Sequence, residues 1–329
     1  MAAAVTLLRR SPGQAAGALP NLVVIGAQKC GTSALHYYLD LHPEVQMSSP
    51  KELCFFLSDE DFDPGPFFAE PGELELARGE RNWSRGRGWY ESHFRPGAPV
   101  RGEATPAYAS PWFPRVAELM AETVPDARLI FLVRDPIERI VSHYLQHRGS
   151  GREWRSLPEA VARPDNVYVG RSRYASALRP FQQRYPRERI LILRQEDLLL
   201  RRRQTLRQAF RFLGVAEDFW SPRMERERHP SARKGWRYRT ATRLARSRIA
   251  MPFYRLPQEA KWVLERISYA PTRAERPLLG DQLRARLLEQ LEPEIASIER
   301  LTGWDLSLWR GRGPPAPRER SRRRLRAES

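Results

Sequence analysis

The 329-residue chain has two cysteines, four lysines and no apolar run approaching the length a membrane-spanning helix needs, about 18 residues. Cys30 and Cys54 are too few for a disulfide framework and lack the spacing of a metal site, so neither an oxidising compartment nor a structural zinc is implied. The apolar stretch Ala2–Leu8 ahead of Arg9-Arg10 is shorter than a usual signal-peptide core. A soluble, cytoplasmic protein is the expectation. Acidic residues are also scarce, 39 against 56 basic ones, and the resulting net charge of +17 calls for anionic partners. The four lysines (Lys29, Lys51, Lys234, Lys261) leave 52 of the basic residues as arginine. A compact ammonium retained in so arginine-biased a chain marks a position where a planar guanidinium does not fit. What the chain does have is apolar content, 41% hydrophobic and 10% aromatic, which suffices for a packed core and excludes a mostly disordered protein.

Residues 1–20 are rich in Ala, Gly and Pro and read as a flexible leader. Asn21–Ile25 is then a short apolar run of buried-strand type, ended by Gly26, and Ala34–Leu41 is a helix stopped near His42-Pro43. The same alternation returns with strand Ala127–Val133 and a helix from Pro136 to about His147. It returns again with helix Arg173–Tyr185, strand Arg189–Leu193 and helix Gln204–Leu213 closed by Gly214. Strands alternating with helices predict an α/β fold with a parallel sheet covered on both faces. Trp112–Val124 has helical spacing. Residues 64–95 show no period and read as a long irregular excursion, and leucines and isoleucines from Leu283 to Leu301 predict a helix kinked or split at Pro293. Residues 310–329, with eight arginines and three prolines, read as a disordered basic tail capable of weak contact with a membrane surface. A single domain over 20–309 remains.

The chemistry centres on Gly26-Ala-Gln-Lys-Cys-Gly-Thr-Ser33, a glycine turn between a strand and a helix. Such a turn makes a nest of backbone amides backed by the helix dipole, suited to phosphate or sulfate. Gly26 and Gly31 permit close approach, Gln28, Cys30, Thr32 and Ser33 line the turn, and Lys29 supplies charge. Thr32 stands where a nucleotide triphosphatase loop has its lysine, and no strand ends in an acidic residue suited to Mg²⁺, which argues against ordinary ATP or GTP chemistry. Arg134 follows the second strand, and Ser142 lies on the helix beyond, so a guanidinium and a hydroxyl can converge on one phosphate. In an arginine-rich chain, pairing of Arg134 with Asp135 or a nearby glutamate is the competing reading.

The segment Gly26–Leu35 resembles the 5′-phosphosulfate loop of sulfotransferases that use 3′-phosphoadenosine 5′-phosphosulfate (PAPS), in the branch related to heparan sulfate N- and 3-O-sulfotransferase domains. Pro50–Phe56, Gly102–Tyr108, Leu129–Pro136 with Arg139 and Ser142, Arg233–Arg237 and Leu301–Trp309 match in the same order, so the resemblance covers about residues 20–309. It implies a P-loop-like three-layer fold, a central parallel sheet flanked by helices, and sulfuryl transfer to an acceptor hydroxyl or amine without a metal, releasing 3′,5′-ADP. The acceptor implied is a carbohydrate, glycolipid or small molecule rather than a specific nucleic acid.

By the same resemblance, Arg134 and Ser142 hold the 3′-phosphate, Arg233, Lys234 and Gly235 close over the nucleotide, and Lys29 stabilises the departing phosphate oxygen. Glu52 is the general base, desolvated by its Phe55 and Phe56 neighbours, with His36 and His143 as alternatives; pairing of Glu52 with Lys51 or an arginine is the competing reading. Lys51, Glu103, Thr105 and Tyr108 are placed on the acceptor side, with a structural turn as the competing reading of Glu103, Thr105 and Tyr108. The heparan-type pattern has a lysine, linked there to catalysis and acceptor binding, where this chain has Ala104. Segments 57–101 and 149–172, free to shape the acceptor cleft, carry no readable motif. A P-loop kinase and a non-catalytic polyanion-binding module are the competing functions; Mg²⁺ dependence would mark the first and salt-steep binding without turnover the second.

Overall fold

The computed structural model describes residues 18–68, 73–77, 79–225, 277 and 279–311. Five strands, β1 (Leu22–Gly26), β2 (Val45–Met47), β3 (Val100–Ala104), β4 (Arg128–Val133) and β5 (Ile190–Arg194), form one sheet in the order β2-β3-β1-β4-β5 with every pairing parallel. The central strand β1 is buried at all five positions, and β4 at all but Arg128. Covering on both faces is why these strands read as unbroken apolar runs. The shorter β2 (Val-Gln-Met) and β3 (Val-Arg-Gly-Glu-Ala) have no such run and carried no strand signal.

Among the described residues, ten α-helices surround the sheet: α1 (Thr32–Asp40), α2 (Gly86–Glu91), α3 (Val116–Thr123), α4 (Pro136–Gly149), α5 (Leu157–Ala160), α6 (Val167–Gly170), α7 (Tyr174–Gln182), α8 (Gln195–Leu200), α9 (Arg202–Leu213) and α10 (Asp281–Thr302). α9 ends on Gly214 in left-handed geometry (φ 74°), the closure its sequence predicts. α10 runs as one helix of 22 residues through Pro293, so the helix is not split there. Leu287, Leu291, Ile295 and Ile298 are buried on one face of it, while Pro293 lies on the exposed face. Packing on both sides of the proline outweighs the one backbone bond it removes. Among the described residues, no helix is long and apolar enough to cross a membrane.

The irregular excursion is packed rather than loose. Trp83, Tyr90 and Phe94 are buried, and the Tyr90 ring stacks on Phe55 with centroids 4.2 Å apart and planes 8° from parallel. Both ends of the described part are anchored. The Leu19 carbonyl, within the expected leader, accepts from Arg101 Nε at 2.9 Å, while residues 1–17 lie outside the described part. Arg310, the first residue of the expected tail, clamps Glu292 and Glu299 with contacts of 2.8–3.0 Å, and 312–329 lie outside the described part. Because Arg310 joins the end of the fold to α10 through two half-exposed carboxylates, Arg310→Ala should lower unfolding free energy by about 1–2 kcal/mol in urea titration. An unchanged midpoint would place Arg310 outside the cooperative unit.

Candidate active site

The glycine turn is fixed by its neighbours before any ligand is considered. Ala27 N–H donates to the Leu132 carbonyl of β4 at 2.7 Å, and Cys30 N–H closes back on the Ala27 carbonyl at 3.2 Å. Gly31, at φ 94°, is the N-cap of α1, and no side chain caps the helix. Its first amides and the positive end of its dipole are thus open toward the turn. A Cβ at position 31 would stand 3.3 Å from Gln195 Cγ, so the cradle stays clear only with glycine there. Lys29 also adopts left-handed backbone, φ 73°, which costs an L-residue about 1–2 kcal/mol. Beside it, Gln28 Oε1 is buried with no hydrogen-bond partner among the described residues. An uncapped helix start and a half-buried lysine fit the phosphosulfate end of a nucleotide.

Thr32 is buried and Ser33 half-buried at the helix start. The Cys30 thiol faces the interior instead. It lies 3.6 Å from the Tyr174 hydroxyl, and burial pushes its pKa up to about 11, so it serves the fold rather than a ligand.

The second motif arrives at the same place. Asp135 caps α4 by accepting from Ile137 N–H at 2.8 Å and Glu138 N–H at 3.2 Å, with Pro136 in the first turn. Asp135 is therefore occupied, and Arg134 does not pair with it. Arg134 Nη1 donates to the Lys29 carbonyl at 3.4 Å and Nη2 to Glu138 Oε2 at 3.3 Å, both longer than the usual 2.7–2.9 Å or so of charge-assisted bonds. Tyr174 joins the two loops, donating to the Arg134 carbonyl at 2.9 Å from the hydroxyl that also meets Cys30. Half-buried Ser142 lies one turn beyond Glu138 on the same face of α4. Arg233, Lys234 and Gly235 lie outside the described residues.

The acceptor side differs from expectation in two respects. Glu52 is 51% exposed and its Oε1 accepts from Lys51 Nζ at 2.7 Å. Phe55 and Phe56 do not desolvate it; they are buried against Trp83, Tyr90 and Tyr108. Glu103, Thr105 and Tyr108, expected to line the cleft, are interior, with at most 1% exposure. The Glu103 carboxylate accepts from the hydroxyls of Tyr90 (2.5 Å), Thr105 (2.7 Å) and Tyr108 (2.8 Å). Thr105 Oγ1 in turn accepts from Cys54 N–H, and Tyr108 Oη from Phe55 and Phe56 N–H. This network holds the Lys51–Phe56 segment against β3, and buried Ala104 extends it with an amide 3.4 Å from the Lys51 carbonyl.

Behind Lys29 lies a group of buried cations and histidines. Arg139, wholly buried, donates to Ser172 Oγ at 2.6 Å, to the Tyr168 carbonyl and to His143 Nδ1 at 3.4 Å, with no carboxylate in ion-pair range among the described residues. Accepting at Nδ1 puts the neutral His143 proton on Nε2, which is buried and unpartnered. Burial, with the charges of His147, Arg139, Arg171 and Lys29, holds His143 well below its ordinary pKa. A neutral ring with its proton on Nε2 is a donor, not a base. His36 Nε2 is 3.1 Å from the Ser48 carbonyl, bracing α1 against the strand that precedes Lys51, and burial lowers its pKa. Arg171, half-buried, lies with its guanidinium carbon 4.5 Å from the Trp112 ring centroid. Its Nε and the Trp112 Nε1 are buried without partners. One further arginine among 52 gave sequence reasoning no contrast from which to single it out.

Two outcomes follow from this geometry. Burial raises the Glu103 pKa from an ordinary 4.5 to about 7. A carboxyl whose folded value is raised binds protons preferentially in the folded state, so its contribution is fully present below about pH 4.5 and is lost as pH rises through 7. Glu103→Gln should remove that slope, so the stability difference from wild type shifts in the variant's favour between pH 5 and 8 in paired urea titrations. A difference flat with pH would contradict the assignment. At the turn, Lys29→Gly and Lys29→Ala both remove the ammonium but only glycine adopts the left-handed backbone without strain, so the Tm of Lys29→Gly should exceed that of Lys29→Ala. A Lys29→Gly variant that melts below Lys29→Ala would contradict the strain.

Comparison with known proteins agrees with this geometry. The Sulfotransferase family profile matches residues 20–221. The membrane-associated sulfotransferase kil1 of Dictyostelium discoideum is 34% identical over 131 residues, 38% of this chain and 22% of that protein. The human bifunctional heparan sulfate N-deacetylase/N-sulfotransferase 2 is 25% identical over 216 residues, 60% of this chain and 22% of that protein. The chain thus matches only about a fifth of the length of these relatives. A sulfotransferase from Alicyclobacillus acidocaldarius superposes with a TM-score of 0.60 at 25% identity, covering 89% of this chain and 99% of that one. With five parallel strands, an open glycine turn after the first and Arg134 after the fourth, the chain belongs to the sulfotransferase family.

Proposed function

We propose that the protein transfers the sulfuryl group of PAPS to an acceptor hydroxyl or amine. The observation that carries this reading is the meeting of the Lys29 turn with Arg134, whose guanidinium reaches the Lys29 carbonyl at 3.4 Å. Two phosphate-binding elements at one end of the sheet suit a nucleotide phosphorylated at both 3′ and 5′ positions. PAPS supplies an activated sulfuryl group on a phosphate leaving group. The uncapped start of α1, with Thr32 and Ser33, receives the 5′ end, and Lys29 places an ammonium where charge develops as the phosphate departs. Arg134 and Ser142 select the 3′-phosphate. Support for Glu52 as base comes from its exposure in the segment held by Glu103, and from His143, whose only free nitrogen carries the proton. In the transfer, the acceptor oxygen or nitrogen bonds to sulfur, the sulfur–oxygen bond to phosphate breaks, and the acceptor proton passes to Glu52.

Support against a kinase reading comes from Thr32 in place of the phosphate-loop lysine. The acceptor is a carbohydrate, glycolipid or small molecule. Incubation with isotopically labelled PAPS and an acceptor panel, read by mass spectrometry, should yield a sulfated product at a rate insensitive to EDTA. Lys29→Ala should cut that rate by about 10²–10³. Glu52→Gln should cut it by about 10²–10⁴ and leave 3′,5′-ADP affinity near wild type. Near-normal turnover in either variant removes that residue from the mechanism.

A further inference from the structure

The peptide group that joins Arg134 to Asp135 is held at both of its polar atoms, each by a side chain from a different helix. Its carbonyl, that of Arg134, accepts from the Tyr174 hydroxyl at 2.9 Å, and its amide, that of Asp135, donates to Glu196 Oε1 at 2.9 Å. Tyr174 opens α7, and Glu196 lies in the first turn of α8. The pairing of β4 with β5 ends with Val133 opposite Arg194, and in that register residue 196 stands opposite 135. The Glu196 carboxylate thus takes the amide that a longer β5 would have met with a backbone carbonyl.

Both side chains are themselves fixed. The Tyr174 ring is buried, with the rings of Phe131 and Trp309 against it at centroid distances of 6.2 and 6.4 Å, so its hydroxyl is presented in one place. An acid at the sheet edge that receives phosphates repels the ligand, and Glu196 Oε2 is buried without a partner. Among the described residues, the Asp135 amide is the one group outside its own residue that Glu196 hydrogen-bonds, and that bond is what its carboxylate contributes. The Arg134 guanidinium has no equally short contact, only those of 3.4 and 3.3 Å to the Lys29 carbonyl and Glu138. Where it stands therefore depends on its backbone, because φ and ψ decide which rotamers are open to a side chain.

We propose that Tyr174 and Glu196 are positioning residues for recognition of the 3′-phosphate: by gripping the 134–135 peptide from both sides, they set Arg134 in the orientation that selects a nucleotide phosphorylated at the 3′ position. This rests on the PAPS reading above, in which Arg134 meets that phosphate. It adds that the selectivity is made in part by two side chains that act through the backbone of Arg134 and not on the ligand.

The readout is the ratio of 3′,5′-ADP to 5′-AMP affinity, measured by calorimetry on the full chain. Tyr174→Phe removes one hydroxyl and Glu196→Met removes the acceptor at nearly constant size, and each should lower the ratio by about three- to tenfold. Glu196→Gln keeps an oxygen for the Asp135 amide, so its ratio should stay within twofold of wild type. In an Arg134→Ala background, Tyr174→Phe and Glu196→Met should change the ratio by less than twofold, because the residue they position is gone. A ratio unchanged in Tyr174→Phe or in Glu196→Met overturns the proposal. So does a loss of the same size with Arg134 already removed, which would make the two side chains general supports of the fold. Glu196→Gln falling as far as Glu196→Met overturns the role of Glu196 as amide acceptor. Where Glu196→Met does not fold, the Tyr174→Phe arm of the cycle decides. Equal affinity of wild type for the two nucleotides sinks the PAPS reading itself, whereas a preference that Arg134→Ala abolishes and Tyr174→Phe leaves intact sinks this inference alone.

Discussion

The parallel pairing of β1 with β4 determines where the Lys29 turn and Arg134 stand. In register Val24 opposite Ile130 and Gly26 opposite Phe131, the two strands deliver the segments after their carboxyl ends to the same edge of the sheet. Separated by about a hundred residues in sequence, Lys29 and Arg134 thereby come within hydrogen-bond reach through the Lys29 carbonyl. The strain at Lys29 is sustained by this arrangement: the Ala27–Leu132 bond, the Cys30–Ala27 closure and the Tyr174 hydroxyl between the two loops leave the turn little freedom to relax. A site assembled from strand ends needs no conformational search to bring its charges together, and two separated phosphates can be read by a rigid object.

A second constraint acts from the other side of β1. Glu103, at the fully buried end of β3, gathers three hydroxyls, two of which accept amides of Cys54, Phe55 and Phe56. An ionisable group in the core is therefore the pin that holds the Lys51–Glu52 pair at the cleft. A carboxylate satisfied by three short hydroxyl bonds is tolerable inside a protein, and its removal would take the acceptor from three buried hydroxyls at once. The acceptor side thus has a polar interior anchor, while the phosphate side is anchored by backbone geometry.

Much of this was legible in the sequence, and the exceptions have physical causes. β1, β4 and β5 announce themselves because a strand buried on both faces is a continuous apolar run. β2 and β3 do not, being short and partly polar, so the motif at Gly102–Tyr108 was recognised while its strand was not. That same motif was placed on the cleft by its resemblance to the family pattern, with a structural turn as the competing reading. Only the three-dimensional partners show that they satisfy one another in the interior. Pro293 does not split α10, because four buried aliphatic side chains spaced along the helix hold both sides of it to the core. Asp135 illustrates the reverse, since Arg-Asp-Pro before an apolar helix is a cap signal that the structure obeys, and Arg134 pairs with Glu138, the nearby glutamate of the competing reading, rather than with Asp135. Arg171 was invisible because what sets it apart is the absence of a partner, a property that no single sequence contains.

The claim on which the account stands is that the turn at Lys29 and the guanidinium of Arg134 read the two phosphates of one nucleotide. Calorimetric titration of 3′,5′-ADP and of 5′-AMP into wild type and Arg134→Ala tests it most directly. Wild type should prefer the bisphosphate by about 10- to 100-fold, the worth of one or two hydrogen bonds to a charged group, and Arg134→Ala should lose most of that preference while keeping its weak affinity for 5′-AMP. Equal wild-type affinity for the two nucleotides, or a preference that survives the loss of Arg134, would contradict it.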